Sequence, residues 1–249
     1  MRYNSLIMST IAANLQAVTA RIGRAAHAAG RDPSTVRLLA VSKTWPAENV
    51  REAHAAGQAA FGENHEQEAV RKIEALADLP LEWHFIGPVQ SNKTRAIAER
   101  FAWVHSIDRA RIAERLSAQR PPHLPPLAVC VQVNVSGEAS KSGVAPDDAE
   151  ALCRLVAALP GVRLRGLMTI PEPTADTGLQ RARFRALREL RDALAQKGLA
   201  LDTLSMGMSD DMDAAIAEGA TLVRVGTAIF GARQRVLEPD LAKTRQGQD

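Results

Sequence analysis

Lys43 closes an apolar run, Leu38-Leu39-Ala40-Val41-Ser42-Lys43-Thr44, of the kind that forms a buried strand. Stripping water from an ammonium lowers its pKa toward that of a reactive amine, and such an amine condenses with an aldehyde. The alternative at this position is a strand-end lysine whose head reaches solvent along its apolar stem. A second unusual charge, Arg224, stands inside Leu222-Val223-Arg224-Val225, where a strand interior is expected to be apolar. Two cations gathered at one place repel each other unless an anionic or strongly hydrogen-bonding ligand joins them. Ser205-Met206-Gly207-Met208-Ser209-Asp210-Asp211 and Gly226-Thr227-Ala228-Ile229-Phe230-Gly231 suit such a ligand. Each offers glycine for close backbone approach, hydroxyl donors and a turn that can aim N–H groups at a phosphate. Read singly, Ser209 is a helix cap with Asp210 and Asp211 as first-turn acids, and Gly226 merely turns the chain. These acids and Asp213 have no histidine beside them, so no metal site is assigned. His84 reads as a catalytic base or, more simply, as a satisfied core histidine. Ser140-Lys141-Ser142-Gly143 reads as a lid or a solvated turn.

The elements that must position these residues alternate along the chain. Ser9 caps a helix whose apolar positions Ile11, Leu15, Val18 and Ile22 repeat at helical spacing as far as Gly30. This helix could pack on the rest of the chain or on another chain. Strands are then expected at 38–44, 59–63, 82–87, 103–107, 127–135, 162–170, 203–206 and 221–225. Helices are expected at 46–56, 65–77, 91–101, 109–119, 147–158, 175–197 and 210–218. Eight strand–helix units with short connections predict a closed (β/α)8 TIM barrel preceded by one extra helix. An open doubly wound sheet is the alternative, but no Gly-x-Gly-x-x-Gly follows the first strand. The connector Pro121-Pro122-His123-Leu124-Pro125-Pro126 interrupts nothing in this alternation, so residues 1–249 are expected to be a single domain, with flexible ends at 1–8 and from about 237. In such a barrel the site lies at the C-terminal ends of the strands, with phosphate at the loops after strands seven and eight. Closure makes strand eight a neighbour of strand one, so Arg224 and Lys43 would face one cavity, and Asn64, ending strand two, would offer an amide on the other side of Lys43.

Composition sets the limits. Of 249 residues, 46% are hydrophobic and 24% charged, which supports a full core in an ordinary soluble protein. The net charge of +3 comes from scattered arginines without aromatic interleaving, which argues against a nucleic-acid partner. Cys130 and Cys153 lack metal-ligand spacing and read as reduced core thiols. No apolar span reaches membrane length and no signal pattern opens the chain, so a cytoplasmic protein is expected. The sequons Asn92-Lys93-Thr94 and Asn134-Val135-Ser136 are then coincidental.

Taken together, these segments resemble the pyridoxal phosphate homeostasis protein family, relatives of the N-terminal barrel of alanine racemase. The resemblance rests on Leu39-Ala40-Val41-Ser42-Lys43-Thr44, Phe61-Gly62-Glu63-Asn64, the run from Trp83-His84-Phe85-Ile86-Gly87 to Lys93, Gly166-Leu167-Met168, Leu204 to Met212 and Arg224 to Gly231. It implies a fold-type III barrel that binds pyridoxal 5′-phosphate (PLP) as an aldimine on Lys43. It also implies Ser209, Gly226 and Thr227 around the phosphate, Arg224 at the pyridine nitrogen, Asn64 on the ring pocket and Ser205 among the cofactor-binding residues. A guanidinium donating to an unprotonated nitrogen leaves the ring a weaker electron sink. Racemisation needs acid–base groups on both faces of the substrate carbon. In alanine racemases the second is a tyrosine from a separate domain, whereas the only tyrosine here is Tyr3. The resemblance therefore implies a monomeric, non-catalytic carrier that regulates PLP supply, with apo PLP-dependent enzymes as transient partners. The competing readings are a racemase or lyase using Lys43 and a second base such as His84, and a purely structural barrel.

Overall fold

The structure, a computed structural model, describes residues 9–138 and 142–232. Eight parallel strands close on themselves in chain order: β1 (Arg37–Val41), β2 (Ala60–Glu63), β3 (Glu82–Phe85), β4 (Trp103–Ile107), β5 (Leu127–Gln132), β6 (Val162–Met168), β7 (Thr203–Ser205) and β8 (Leu222–Val225). Parallel neighbours require a crossover, and each strand is followed by a helix. These are α2 (Ala47–Ala55), α3 (Glu66–Ala75), α4 (Thr94–Arg100), α5 (Ala110–Gln119), α6 (Ala149–Ala157), α7 (Thr177–Gln196), α8 (Met212–Ala217) and α9 (Thr227–Phe230). The expected (β/α)8 barrel is thus observed, and the barrel closes with Leu39 in register with Arg224. β4 and β5 pair directly across the proline-rich connector, which Arg120 pins through its Nε–H to Pro125 O at 2.8 Å.

The extra helix is α1 (Thr10–Ala28), and the Ser9 hydroxyl accepts from the Ala12 N–H at its start. Its stripe of Ile11, Leu15, Val18, Ile22 and Ala26 is buried against α2, α8 and α9, so the barrel itself is its partner. The Asn14 amide adds a hydrogen bond to Ile229 O at 2.9 Å. Between sheet and helices, Phe61, Phe101, Phe184, Leu116 and Leu167 are fully buried.

Several strands end earlier than hydropathy predicts. β1 stops at Val41 where 44 was expected, β3 at Phe85, β5 at Gln132 and β6 at Met168. The next residues stay buried, as Ser42, Ile86, Val133 and Thr169 do, so the apolar run continues after strand pairing has ceased. The helix expected from residue 91 begins with a 3-10 turn at Ser91–Lys93 before α4. Cys130 and Cys153 are unbridged and buried, and burial pushes both thiols up to about 12. Tyr3, Ser140 and Lys141 lie outside the described residues, as do the ends expected to be flexible.

Candidate functional site

Leaving β1, the chain passes through Ser42 and Lys43 into a tight turn at Thr44, whose φ of 69° is left-handed. A β-branched residue resists that conformation, so something must hold it there. The holder is Glu68 on α3, whose carboxylate accepts the Thr44 N–H at 2.6 Å. Beneath the turn lies a buried ion cluster. Lys72 reaches Glu63 at 2.8 Å, Glu68 at 2.7 Å and Ser42 O at 2.7 Å, while the Ser42 hydroxyl donates to Glu63 at 2.6 Å. Burial raises the Glu63 carboxyl despite Lys72, and its Oε2 has no partner among the described residues. The turn therefore fixes the root of Lys43 while the side chain runs half-buried along the wall of a cavity of about 480 Å³.

That cavity also receives Arg224, Asn64, Ser209, Gly226 and Thr227, so six of the seven site residues expected from sequence meet on one wall. Arg224 comes from β8, is 3% exposed, and is held by its own barrel. Its Nη1 donates to Ser205 O at 2.6 Å and to Ser205 Oγ at 2.7 Å, and Nη2 donates to Thr169 O at 2.8 Å. Those bonds use three of the five guanidinium N–H groups. Burial pushes its pKa down to about 10, which leaves it protonated at neutral pH. Asn64 follows β2, and its buried Oδ1 has no partner among the described residues. A buried acceptor without a donor is costly and marks a place where a ligand or water is wanted.

Ser205, the seventh expected residue, is placed apart from these six. It is fully buried within β7 and is not on the cavity wall; its hydroxyl supports Arg224 from below. The alternative that made Ser209 merely a helix cap does not hold, because the residue at the helix start is Asp211, whose carboxylate accepts the Met208 N–H at 2.6 Å. Ser209 is thereby released to the cavity. Gly207 makes the sharp exit from the barrel: its φ is +93°, and a Cβ there would sit 2.5 Å from the Ala215 methyl. Gly226 allows β8 to pass close to β1, since a Cβ would come 3.1 Å from Val41 O. Directly after it, Thr227 and Ala228 open α9 at the cavity edge with N–H groups that precede the helical ladder, whereas the Ile229 and Phe230 N–H groups donate to Gly226 O at 2.9 and 3.0 Å.

Sequence reasoning missed several wall residues. Arg21, from α1, donates to Ser209 O at 2.8 Å and pairs with Asp213 at 3.1 Å, so the extra helix anchors the β7–α8 loop. Helical periodicity marks the buried stripe of α1 and is silent about its polar face. Trp45 stacks on Phe230 at 6.0 Å, joining the Lys43 turn to α9. Ile86, Ile170 and Met208 complete an apolar side. His84 lies in the barrel interior, fully buried, and does not line the cavity. Among the described residues no His, Cys, Asp and Glu cluster could hold a metal, and no helix is long and apolar enough to cross a membrane.

The model of the family described as alanine racemase, N-terminal domain, matches residues 13–234, and the chain belongs to that family. A pyridoxal phosphate homeostasis protein of Pseudomonas aeruginosa is 69% identical over 226 residues, covering 91% of this chain and 97% of the relative. The solved PipY protein of Synechococcus elongatus with PLP bound is 40% identical, with a TM-score of 0.78, over 89% of this chain and all of that one. The alanine racemase of Corynebacterium glutamicum shares the fold, with a TM-score of 0.68 at 20% identity; the match covers 90% of this chain and 61% of that one.

Proposed function

We propose that this member of the alanine racemase N-terminal domain family binds PLP in the Lys43 cavity, covalently and reversibly through the Lys43 amine, and holds it for supply to other enzymes. The observation that carries the reading is the convergence of Lys43, Arg224, Asn64, Ser209, Gly226 and Thr227 on one cavity, with the Asn64 Oδ1 lacking a partner among the described residues. Relatives named for pyridoxal phosphate homeostasis support the role, and the PLP-bound PipY structure supports the ligand.

The residues fit that group. PLP supplies an aldehyde, a phosphate and an electron-withdrawing ring when bound. Lys43 offers the amine, fixed at its root by the Thr44 turn. Ser209, Thr227 and the first amides of α9 offer donors to the phosphate. Arg224 has N–H groups left that would donate to a ring nitrogen, and a guanidinium that keeps its own proton would leave that nitrogen unprotonated and the ring a weaker electron sink. Asn64, on the same cavity, would offer its amide to the ring edge. The suggested second base, His84, is fully buried and is not on the cavity wall, which favours carrying over turnover. In this reading the whole chain acts as one domain, monomeric and cytoplasmic, with apo PLP-dependent enzymes as transient recipients.

The test is to incubate the protein with PLP, reduce with borohydride and locate the adduct by mass. The expected result is one label on Lys43; a protein without label there refutes the proposal. Sustained turnover of a D- or L-amino acid, abolished by Lys43→Ala, overturns the carrier role.

A further inference from the structure

The interior of a (β/α)8 barrel is ordinarily filled by branched apolar side chains. Here a polar chain runs through it instead. Glu82, at the entry of β3, meets His84 Nε2 at 2.5 Å. His84 Nδ1 meets His105 Nε2, from β4, at 2.9 Å. His105 Nδ1 meets Ser205 Oγ at 2.7 Å, and Ser205 Oγ accepts from Arg224 at 2.7 Å. Both imidazoles and Ser205 are fully buried. At the opposite mouth of the barrel from the cavity, Arg37 of β1 pairs with Glu82 at 2.8 Å.

Donor and acceptor roles follow from the ends of the chain. Glu82 is held below the usual carboxylate range, first by its bond to His84, so it is ionised and can only accept. Burial lowers the pKa of both His84 and His105, so each is neutral and carries one N–H. His84 must then donate from Nε2, which makes its Nδ1 an acceptor. His105 must donate to it from Nε2, which makes its own Nδ1 an acceptor. Ser205 must fill that acceptor with its O–H, leaving its lone pairs for Arg224. Every link points from Arg224 toward Glu82, and such aligned bonds strengthen one another. A proton gained by His84 would reverse the two inner links and leave the Ser205 oxygen facing two donors.

We propose that His84 and His105 are positioning residues that lock the Ser205 hydroxyl, and through it the donor face of Arg224, to the Glu82–Arg37 pair at the far end of the barrel. The inference rests on the reading of Arg224 as the partner of the bound cofactor's ring. It assigns a role to residues that touch no ligand: they keep the guanidinium turned so that its remaining N–H groups stay on the cavity side. The charged and titratable groups facing the chain are Glu82 and Arg37 at one end, Arg224 with Asp211 and Cys130 at the other, and Arg165 over the Trp103 ring that stacks on His84.

The test has two arms. In the full-length protein without cofactor, nitrogen-detected NMR of the histidine rings reads the tautomers. The expected result is Nε2–H with bare Nδ1 for both His84 and His105 at neutral pH, and an Nδ1–H tautomer or an imidazolium at His105 overturns the proposal. In the second arm, PLP-loaded protein is titrated by absorbance. Glu82→Leu, at a half-exposed residue away from the cavity, is expected to move the midpoint of the bound chromophore by about half a pH unit or more. The control Glu74→Leu, which removes only a surface partner of Arg100, is expected to leave it in place. Unchanged midpoint and unchanged tautomers in Glu82→Leu, with Lys43 still labelled by borohydride, sink the relay while sparing the cofactor site. Loss of the Lys43 label in the unmodified protein sinks the cofactor reading instead, and the tautomers still decide the relay.

Discussion

Replacing Lys72 by Met isolates the ion cluster beneath Lys43. The Lys72 ammonium makes three contacts of 2.7–2.8 Å, to Glu63, Glu68 and Ser42 O, and its side chain is 7% exposed. Met fills the volume of the stem, so little cavity is created and the change is mainly electrostatic. Glu68, 30% exposed, can turn to water; Glu63, with no exposure, cannot. It would retain only the Ser42 hydroxyl as donor, beside an Oε2 that already has no partner among the described residues. Removing one member of a buried pair costs about 3–5 kcal/mol. Glu63 limits that loss by taking up a proton. Its folded pKa is already above the unfolded value, so its contribution is present below the unfolded carboxyl pKa and lost as pH rises through the folded one. The variant pushes the folded pKa further up, so the penalty must grow with pH. Urea unfolding of wild type and Lys72→Met should therefore show a loss of about 3–5 kcal/mol near pH 7 and at least about 1 kcal/mol less near pH 5. Adding Glu63→Gln to the variant should restore about 2 kcal/mol, because the stranded charge is gone. A loss below about 1 kcal/mol at both pH values, or a double variant no more stable than the single one, refutes the reasoning.

Other consequences are as direct. Gly207→Ala combines a left-handed φ of +93° with a methyl 2.5 Å from Ala215, and should lower stability by at least about 2 kcal/mol in denaturant titration. Glu218 is 1% exposed and accepts from Arg181, Arg185 and Arg188; burial pulls its carboxyl up, but the bonds from Arg185 and Arg181 prevail and hold it low. Its contribution is thus present above the unfolded carboxyl pKa and lost as pH falls through the folded value. Glu218→Gln should cost about 2 kcal/mol near pH 7 and flatten the acid limb of the stability–pH curve. Ser209→Ala with Thr227→Ala removes two hydroxyls from the proposed phosphate side of the cavity and should weaken PLP binding about tenfold by fluorescence titration, leaving the borohydride label on Lys43 at saturating PLP.

Much of the site was legible in the chain because its residues break local rules. A cation closing an apolar run at Lys43, another inside Leu222-Val223-Arg224-Val225, and glycine with hydroxyls after the last two strands all conflict with their surroundings. The eight-fold alternation supplied the closure that brings strand eight to strand one, which is why Lys43 and Arg224 could be expected in one cavity. The order of elements and the core stripe of α1 were equally readable, since both follow from periodicity.

The tertiary structure alone decided what depends on contacts between residues far apart in sequence. Hydropathy did not separate Ser205, buried under Arg224, from Ser209, four residues later on the cavity wall, because the distinction lies in where β7 ends and which acid begins the next helix. The left-handed Thr44 turn required Glu68, and the anchoring of Lys43 required Lys72 and Glu63, pairings across separate elements. His84 read as a catalytic base or a core histidine and His105 carried no signal at all; only the alignment of β3, β4, β7 and β8 joins them into one chain. Residue type and spacing determine which groups are unusual; only closure of the barrel determines which of them touch, because hydrogen bonds extend over about 3 Å while the partners lie from 21 to 100 residues apart along the sequence.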